Sequence, residues 1–292
     1  MVLIRSRVCG YCMGVERAIK KVYQQLEVCT SSSLVTLGPL IHNPRTIESL
    51  KKRGVQVLDA KAIPSSLEGA TVVIRAHGVA PQVEDKIRQR GGAIVDATCP
   101  KVKSSQRKAE QYSRQGYIVF LAGDPGHGEI QGILGYAPSA ILIPSASYAR
   151  DMVPQWASRW QDRPVVLMGQ TTFLLEEYEE IRTILETCFP HLITERTICL
   201  ATKERQEALI ELCAEVDAVI VVGGKNSANT RRLYELAKEQ GKPAWHIEDP
   251  EELSPDILKY EKIGITAGAS TSMEHIEEVE RYITQVLARG KT

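Results

Sequence analysis

Cys12, Cys99 and Cys199 stand 87 and 100 residues apart, and each opens a segment of helical character: CMGVERAIKKV, CPKVKSSQRKAEQY and CLATKERQEALIEL. An extended stretch precedes each one. A helix N-terminus lowers a thiol's pKa and favours the thiolate, the form that binds metal. Three thiolates on equivalent elements suit one shared centre. Soft sulfur ligands from separate elements select zinc or an iron-sulfur cluster, and a structural zinc site wants four protein ligands. The usual cluster also takes four cysteines. With three, one iron keeps an open position for a substrate oxygen, so this count points to chemistry rather than to simple electron carriage.

Histidines form a second set. His42 in LIHN, His77 in RAHG and His127 in GHGE follow apolar runs, in company with Glu129, Thr171, Thr172, Ser227, Asn229 and Ser270. Imidazoles, hydroxyls, an amide and helix N-terminal N–H groups make a cradle for a phosphate or diphosphate. Glu129 is the carboxylate that belongs to this set, which makes it the candidate proton donor. His191, His246 and His275 read as solvated surface residues. Cys188 and Cys213 fall in phase with apolar neighbours at helical spacing and read as small core hydrophobes, as does Cys29.

The elements that must carry these residues repeat three times. After each cysteine helix comes an apolar run ending in small and polar residues: LVTLGPLIHN, YIVFLAGDPGHGE and AVIVVGGKNSAN. A helix and a strand follow, then a strand with another polar tip: VVIRAHG, VVLMGQTT and IGITAGAS. A last helix and strand lead back to a cysteine through AIVDATC and LITERTIC, while the third unit lacks a fourth strand that VLIRSRVC at the N-terminus can supply. Strands alternating with amphipathic helices predict an α/β fold of parallel sheets, with ligand groups at the carboxyl ends of the strands. The expected domains are 13–98, 99–198 and 199–292, the last completed by 1–12, around a central pocket.

Composition narrows the class. The 292-residue chain is 43% hydrophobic, enough for sizeable cores. Its 36 basic residues balance its 36 acidic ones, and three Phe and three Trp are too few for stacking platforms, so neither nucleic acid nor a membrane surface is an expected partner. No stretch approaches the ~18 apolar residues of a membrane span, and MVLIRSR meets arginine too early for a signal peptide. Seven cysteines without local pairing patterns fit a reducing, cytoplasmic compartment. GGKNSAN lacks the leading glycine of a P-loop, and GDPGHGEIQG has Gln131 at the third Rossmann glycine position. His127-Gly-Glu129 is not followed by the Pro-Cys-x-x-Cys of a zinc deaminase.

The segments GYCMGVERAI, HNPRTIESLKKRG, RAHGV, DATCPKV, GHGE, QTT, RQEA, VVGGKNSANTRRL and TAGAS occur in this order. In them the chain resembles the 4-hydroxy-3-methylbut-2-enyl diphosphate reductases, the last enzymes of the methylerythritol phosphate route to isoprenoids, over nearly its whole length. The resemblance implies three small α/β domains in a pseudo-threefold trefoil around one 4Fe-4S cluster per chain, held by Cys12, Cys99 and Cys199. It implies reductive removal of a hydroxyl from an allylic diphosphate, giving isopentenyl and dimethylallyl diphosphate, with a ferredoxin or flavodoxin as electron donor. By the same likeness Glu129 relays protons with Thr171, and His127 assists. His42, His77, Thr172, Asn226, Ser227, Asn229 and Ser270 join His127 and Thr171 in binding the substrate. The chain departs from the family pattern at Ala228, usually a second serine, at Cys9, and at Asp124 and Gly128. Two alternatives stay open at this point: a paralogue reducing another phosphorylated compound, and a noncatalytic redox protein with Cys9 as fourth ligand.

Overall fold

The computed structural model describes residues 2–28, 33–60 and 62–289. Cys29 lies outside the described residues. The described chain contains three four-stranded sheets, every pairing parallel. The first is built from β2 (Ser33–Leu37), β3 (Gln56–Leu58), β4 (Ala70–Ile74) and β5 (Ala93–Asp96), in the order β3-β2-β4-β5. The second uses β6 (Ile118–Ala122), β7 (Ile141–Ile143), β8 (Val165–Gly169) and β9 (Ile193–Thr194), in the order β7-β6-β8-β9. The third takes β10 (Ala218–Val222), β11 (Ala244–Ile247), β12 (Lys262–Ala267) and the N-terminal β1 (Val2–Arg5), in the order β11-β10-β12-β1.

The order is therefore the same in each sheet. Its fourth place is taken by the strand that leads into a cysteine, and in the third sheet β1 fills that place by pairing Val2 to Arg5 with Lys262 to Ile265. Central strands β4, β8 and β10 are buried along their whole length, because helices cover both faces and leave no side for water. Hence their sequences, ATVVI, VVLMG and AVIVV, are runs rather than alternations.

Each sheet has its own apolar packing. In the second, Phe120 and Leu167 meet Trp156 of α6 (Ala146–Trp160) and Ile181 of α7 (Leu175–Glu186) on one face. On the other face, Val119 and Met168 meet Ala109 of α4 (Pro100–Arg114) and Ile133 of α5 (Gly128–Tyr136). In the third sheet, Ile220 and Ile265 pack on Ile276 and Val279 of α10 (Met273–Arg289). Its opposite face packs on Leu209 and Cys213 of α8 (Leu200–Glu215) and Leu233 of α9 (Ala228–Glu239). In the first, Leu37, Val72 and Ile74 close on Ile87 of α3 (Pro81–Gln89). Each fully buried aliphatic side chain of this kind contributes about 1.5–3 kcal/mol by leaving water.

Among the described residues the remaining α-helices are α1 (Met13–Val28) and α2 (Pro44–Lys52). The chain divides into two compact units, Met1–Glu16 with Ile41–Ser49 and Leu200–Thr292, and Arg17–Leu40 with Leu50–Cys199. The second unit holds the first two sheets and the first unit the third. Among the described helices, none is long and apolar enough to cross a membrane.

Candidate functional site

The three cysteines occupy one local environment repeated three times. The Cys99 N–H donates to the Ala76 carbonyl just past β4 (2.9 Å), the Cys199 N–H to the Thr171 carbonyl past β8 (2.9 Å), and the Cys12 N–H to the Ala269 carbonyl past β12 (3.0 Å). Each cysteine then starts a helix: α4 begins at Pro100, α8 at Leu200 and α1 at Met13. The Cys12 and Cys99 carbonyls accept the first helical bonds, from Glu16 and Lys103. Tying the amide to a strand tip fixes where the β-carbon, and hence the sulfur, is presented. All three are partly accessible, and none of the described cysteines forms a disulfide.

Each cysteine helix also grips the segment that leads into another cysteine. From α1, Arg17 donates to the Thr98 carbonyl (2.9 Å) and Lys21 to the Asp96 carbonyl (2.6 Å), just before Cys99. From α4, Lys108 pairs with Glu195 and the Tyr112 hydroxyl donates to it (2.7 Å), shortly before Cys199. From α8, the buried Arg205 donates to the carbonyls of Gly10 (2.6 Å), Ala267 (3.2 Å) and Val8 (3.4 Å), in the segment before Cys12. Gly10 sits at φ +81°, a conformation that costs a side-chain-bearing residue strain.

Within the unit that contains the first two sheets, the structure brings Glu129, Thr171, His127 and His77 together. Glu129, on the first turn of α5, is 1% exposed. One carboxylate oxygen accepts the Thr171 N–H (2.8 Å) and the other its hydroxyl (2.7 Å). Burial pushes the Glu129 pKa up to about 7, against the Thr171 hydrogen bonds, which pull it down. His127 caps α5, its Nδ1 accepting the Glu129 N–H (3.3 Å). That bond puts the proton of the neutral ring on Nε2, making the ring a donor toward an anion. The His77 ring meets the His127 ring edge-on, centroids 5.1 Å apart. Thr172 accepts from the fully buried Gln170 (2.7 Å), whose amide also bridges to Asp124 through bonds of 2.9 and 3.2 Å.

In the other unit, the Ser270 hydroxyl donates to the His42 carbonyl (3.2 Å) and the Asn43 amide to the Ser270 carbonyl (2.9 Å). Ser227 caps α9, its hydroxyl accepting the Thr230 N–H. Asn229, on the first turn of that helix, is 3% exposed, yet neither atom of its side-chain amide has a partner. A buried amide without partners costs free energy unless a ligand completes it. Asn226 is exposed, unlike Ser227 and Asn229, and Ala228 is buried.

A model of the LytB protein family matches residues 3–284. The chain belongs to the LytB family. A Treponema denticola protein named 4-hydroxy-3-methylbut-2-enyl diphosphate reductase is 42% identical over 98% of this chain and 100% of its own. An Aquifex aeolicus protein of the same name is 37% identical over 95% of this chain and 94% of its own. Two solved structures of the enzyme are similar. The Plasmodium falciparum reductase has a TM-score of 0.88 at 26% identity, covering 97% of this chain and 88% of that one. A second, described as the terminal enzyme of the non-mevalonate pathway, has a TM-score of 0.68 at 36% identity, covering 98% and 100%.

Several isolated residues of this LytB protein sit elsewhere than their local sequence suggests. His275 was expected at the surface but is 6% exposed, and burial lowers its pKa. His246 is half-buried, with Nε2 2.9 Å from the Gly223 carbonyl oxygen, and its pKa falls for the same reason. The burial of both is set by chain segments distant in sequence, which local pattern does not show. His191 is exposed as expected, and Cys188 and Cys213 pack against the cores. Cys9 packs against the core of the third sheet, where burial raises its pKa. Gln170, Arg205 and Arg75 received no role from the sequence, although each lies inside a quoted motif, QTT, RQEA and RAHGV.

Proposed function

We propose that this LytB protein reduces 4-hydroxy-3-methylbut-2-enyl diphosphate to isopentenyl and dimethylallyl diphosphate, using one 4Fe-4S cluster bound by Cys12, Cys99 and Cys199. The observation that carries the reading is the triplicated cysteine environment, three thiols on helix N-termini whose amides are pinned to strand tips in the same way. Soft ligands in that number and at that kind of position fit such a cluster. When bound, the cluster supplies the electrons and a Lewis-acidic iron.

The overall change breaks one C–O bond, takes up two electrons and two protons, and releases water. Hydroxide leaves poorly, so a proton must reach the departing oxygen. Glu129, with a pKa of about 7, holds a proton near neutral pH, and Thr171 orients its carboxyl group through two hydrogen bonds. His127, fixed as an Nε2 donor, assists at the same end of α5. His42, His77, Ser227, Asn229 and Ser270 hold the diphosphate, Thr172 and Asn226 join them in binding the substrate, and the unpaired Asn229 amide supports that assignment. Anchoring the diphosphate turns remote binding energy into orientation of the reacting carbon. The electrons come from a ferredoxin or flavodoxin in the cytoplasm. The domain division that accompanies this reading is 13–98, 99–198, and 199–292 with 1–12.

The test is anaerobic purification with iron and sulfide analysis, then assay with the allylic diphosphate and a reduced dye. Cys12→Ser, Cys99→Ser and Cys199→Ser should each prevent stable cluster assembly, whereas Cys9→Ser should retain it. Wild-type iron content in the three single variants would overturn the reading.

A further inference from the structure

Arg75 follows the last residue of β4, two positions before His77. Its guanidinium is seated against two glycines. A β-carbon on Gly128 would come within 2.4 Å of Arg75 Nη2, and one on Gly38 within 3.2 Å of Nη1. A side chain at Gly128 would therefore displace the guanidinium, and one at Gly38 would crowd it. Gly128 is the first residue of α5, directly after the His127 cap, so the guanidinium rests at the positively polarised end of that helix.

That position is electrostatically unfavourable for a cation. Arg75 Nε is completely buried with no hydrogen-bond partner. Burial alone perturbs the guanidinium, with no nearby carboxylate to offset it. The structure elsewhere gives arginines acceptors freely: Arg205 has three carbonyls and Arg45 the carboxylates of Glu278 and Asp249. A mostly buried guanidinium without a counter-charge, at the N-terminus of the helix that His127 caps, sets a fixed positive charge at that end of α5. Such an arrangement is costly until an anion arrives, and guanidinium is the side chain best matched to phosphoryl oxygens.

We propose that Arg75 is a further anion-binding residue of this protein, its guanidinium taking phosphoryl oxygens of the substrate beside His77 and His127. This rests on the diphosphate reading above and adds a permanent charge to a site otherwise made of titratable imidazoles and neutral donors. The arginine acts as binder and positioner and takes no part in proton transfer.

The experiment measures binding of inorganic diphosphate and of the allylic diphosphate to the cluster-loaded protein by anaerobic calorimetry, for wild type, Arg75→Met, Arg75→Lys and Gly128→Ala. Arg75→Met should weaken both ligands at least about tenfold, about 1.4 kcal/mol, and should flatten the salt dependence of binding. Arg75→Lys should recover part of the loss, since the charge returns without the planar fork. Gly128→Ala, which keeps the charge but displaces the guanidinium, should weaken binding as well. Iron per chain and the thermal midpoint serve as controls that a purely structural role would move. Wild-type affinity in Arg75→Met, with iron intact, overturns the proposal and leaves the reductase reading standing. Inorganic diphosphate bound through Arg75 by a protein that ignores the allylic diphosphate overturns the reductase substrate and upholds the anion site.

Discussion

Thr171 donates both its backbone N–H and its hydroxyl to the two oxygens of Glu129, across 42 residues of sequence. The pairing holds the carboxyl group in one orientation while burial raises its pKa to about 7. Oriented and close to half-protonated at neutral pH, it has the properties of a general acid that must give up a proton and regain it each turnover.

Glu129→Gln keeps the size and the acceptor for Thr171 but cannot transfer a proton. Turnover should fall at least about a hundredfold, with iron content retained. In the wild type, kcat should decline as pH rises through about 7, where the acid is lost. A variant with near-normal turnover would move the acid to another residue.

The same group makes a signed contribution to stability. Its folded-state pKa of about 7 lies above the ordinary 4.5, so the folded protein binds the extra proton between those values. The contribution is complete below pH 4.5 and is lost as pH rises through the folded pKa, a change on the order of 3 kcal/mol. Urea unfolding of wild type and Glu129→Gln at pH 5 and pH 8, at equal iron loading, should show the wild type losing more stability than the variant. Parallel pH dependences would contradict the buried, protonated state.

Asn229 predicts a split between stability and affinity. Because its amide has no hydrogen-bond partner within the chain, Asn229→Ala forfeits no hydrogen bond on folding and should change unfolding free energy by less than about 1 kcal/mol. Affinity for the allylic diphosphate should nevertheless drop about tenfold or more. Thermal melts and calorimetry on one preparation check both halves.

Arg205 should behave in the opposite way. Arg205→Met strips buried carbonyls of Val8, Gly10 and Ala267 of a charged donor, so the segment before Cys12 loses its anchor. The expected cost is about 3 kcal/mol or more of stability, with iron per chain reduced and partly recovered in Arg205→Lys. Equal thermal midpoints and iron contents across the three proteins would show that Cys12 is held by other contacts.

The repeat, the strand runs such as VVIRAHG and VVLMGQTT, the cysteines opening three helices, and β1 as the missing strand of the third sheet can all be read from the residues alone. These were legible because they depend on local signals: apolar runs for strands covered on both faces, helical spacing of apolar residues, and polar tips where strands end. What depends on long-range contact emerges only in the folded chain. Glu129 is an ordinary glutamate in GHGE until the fold buries it and brings Thr171 against it. His275 resembles a surface histidine in MEHIEE until packing covers it. Arg75 and Arg205 are both arginines inside short motifs, yet one is given three carbonyls and the other only two glycines and a helix end. Desolvation and hydrogen-bond supply are properties of the surroundings, and those surroundings come from segments tens to hundreds of residues away.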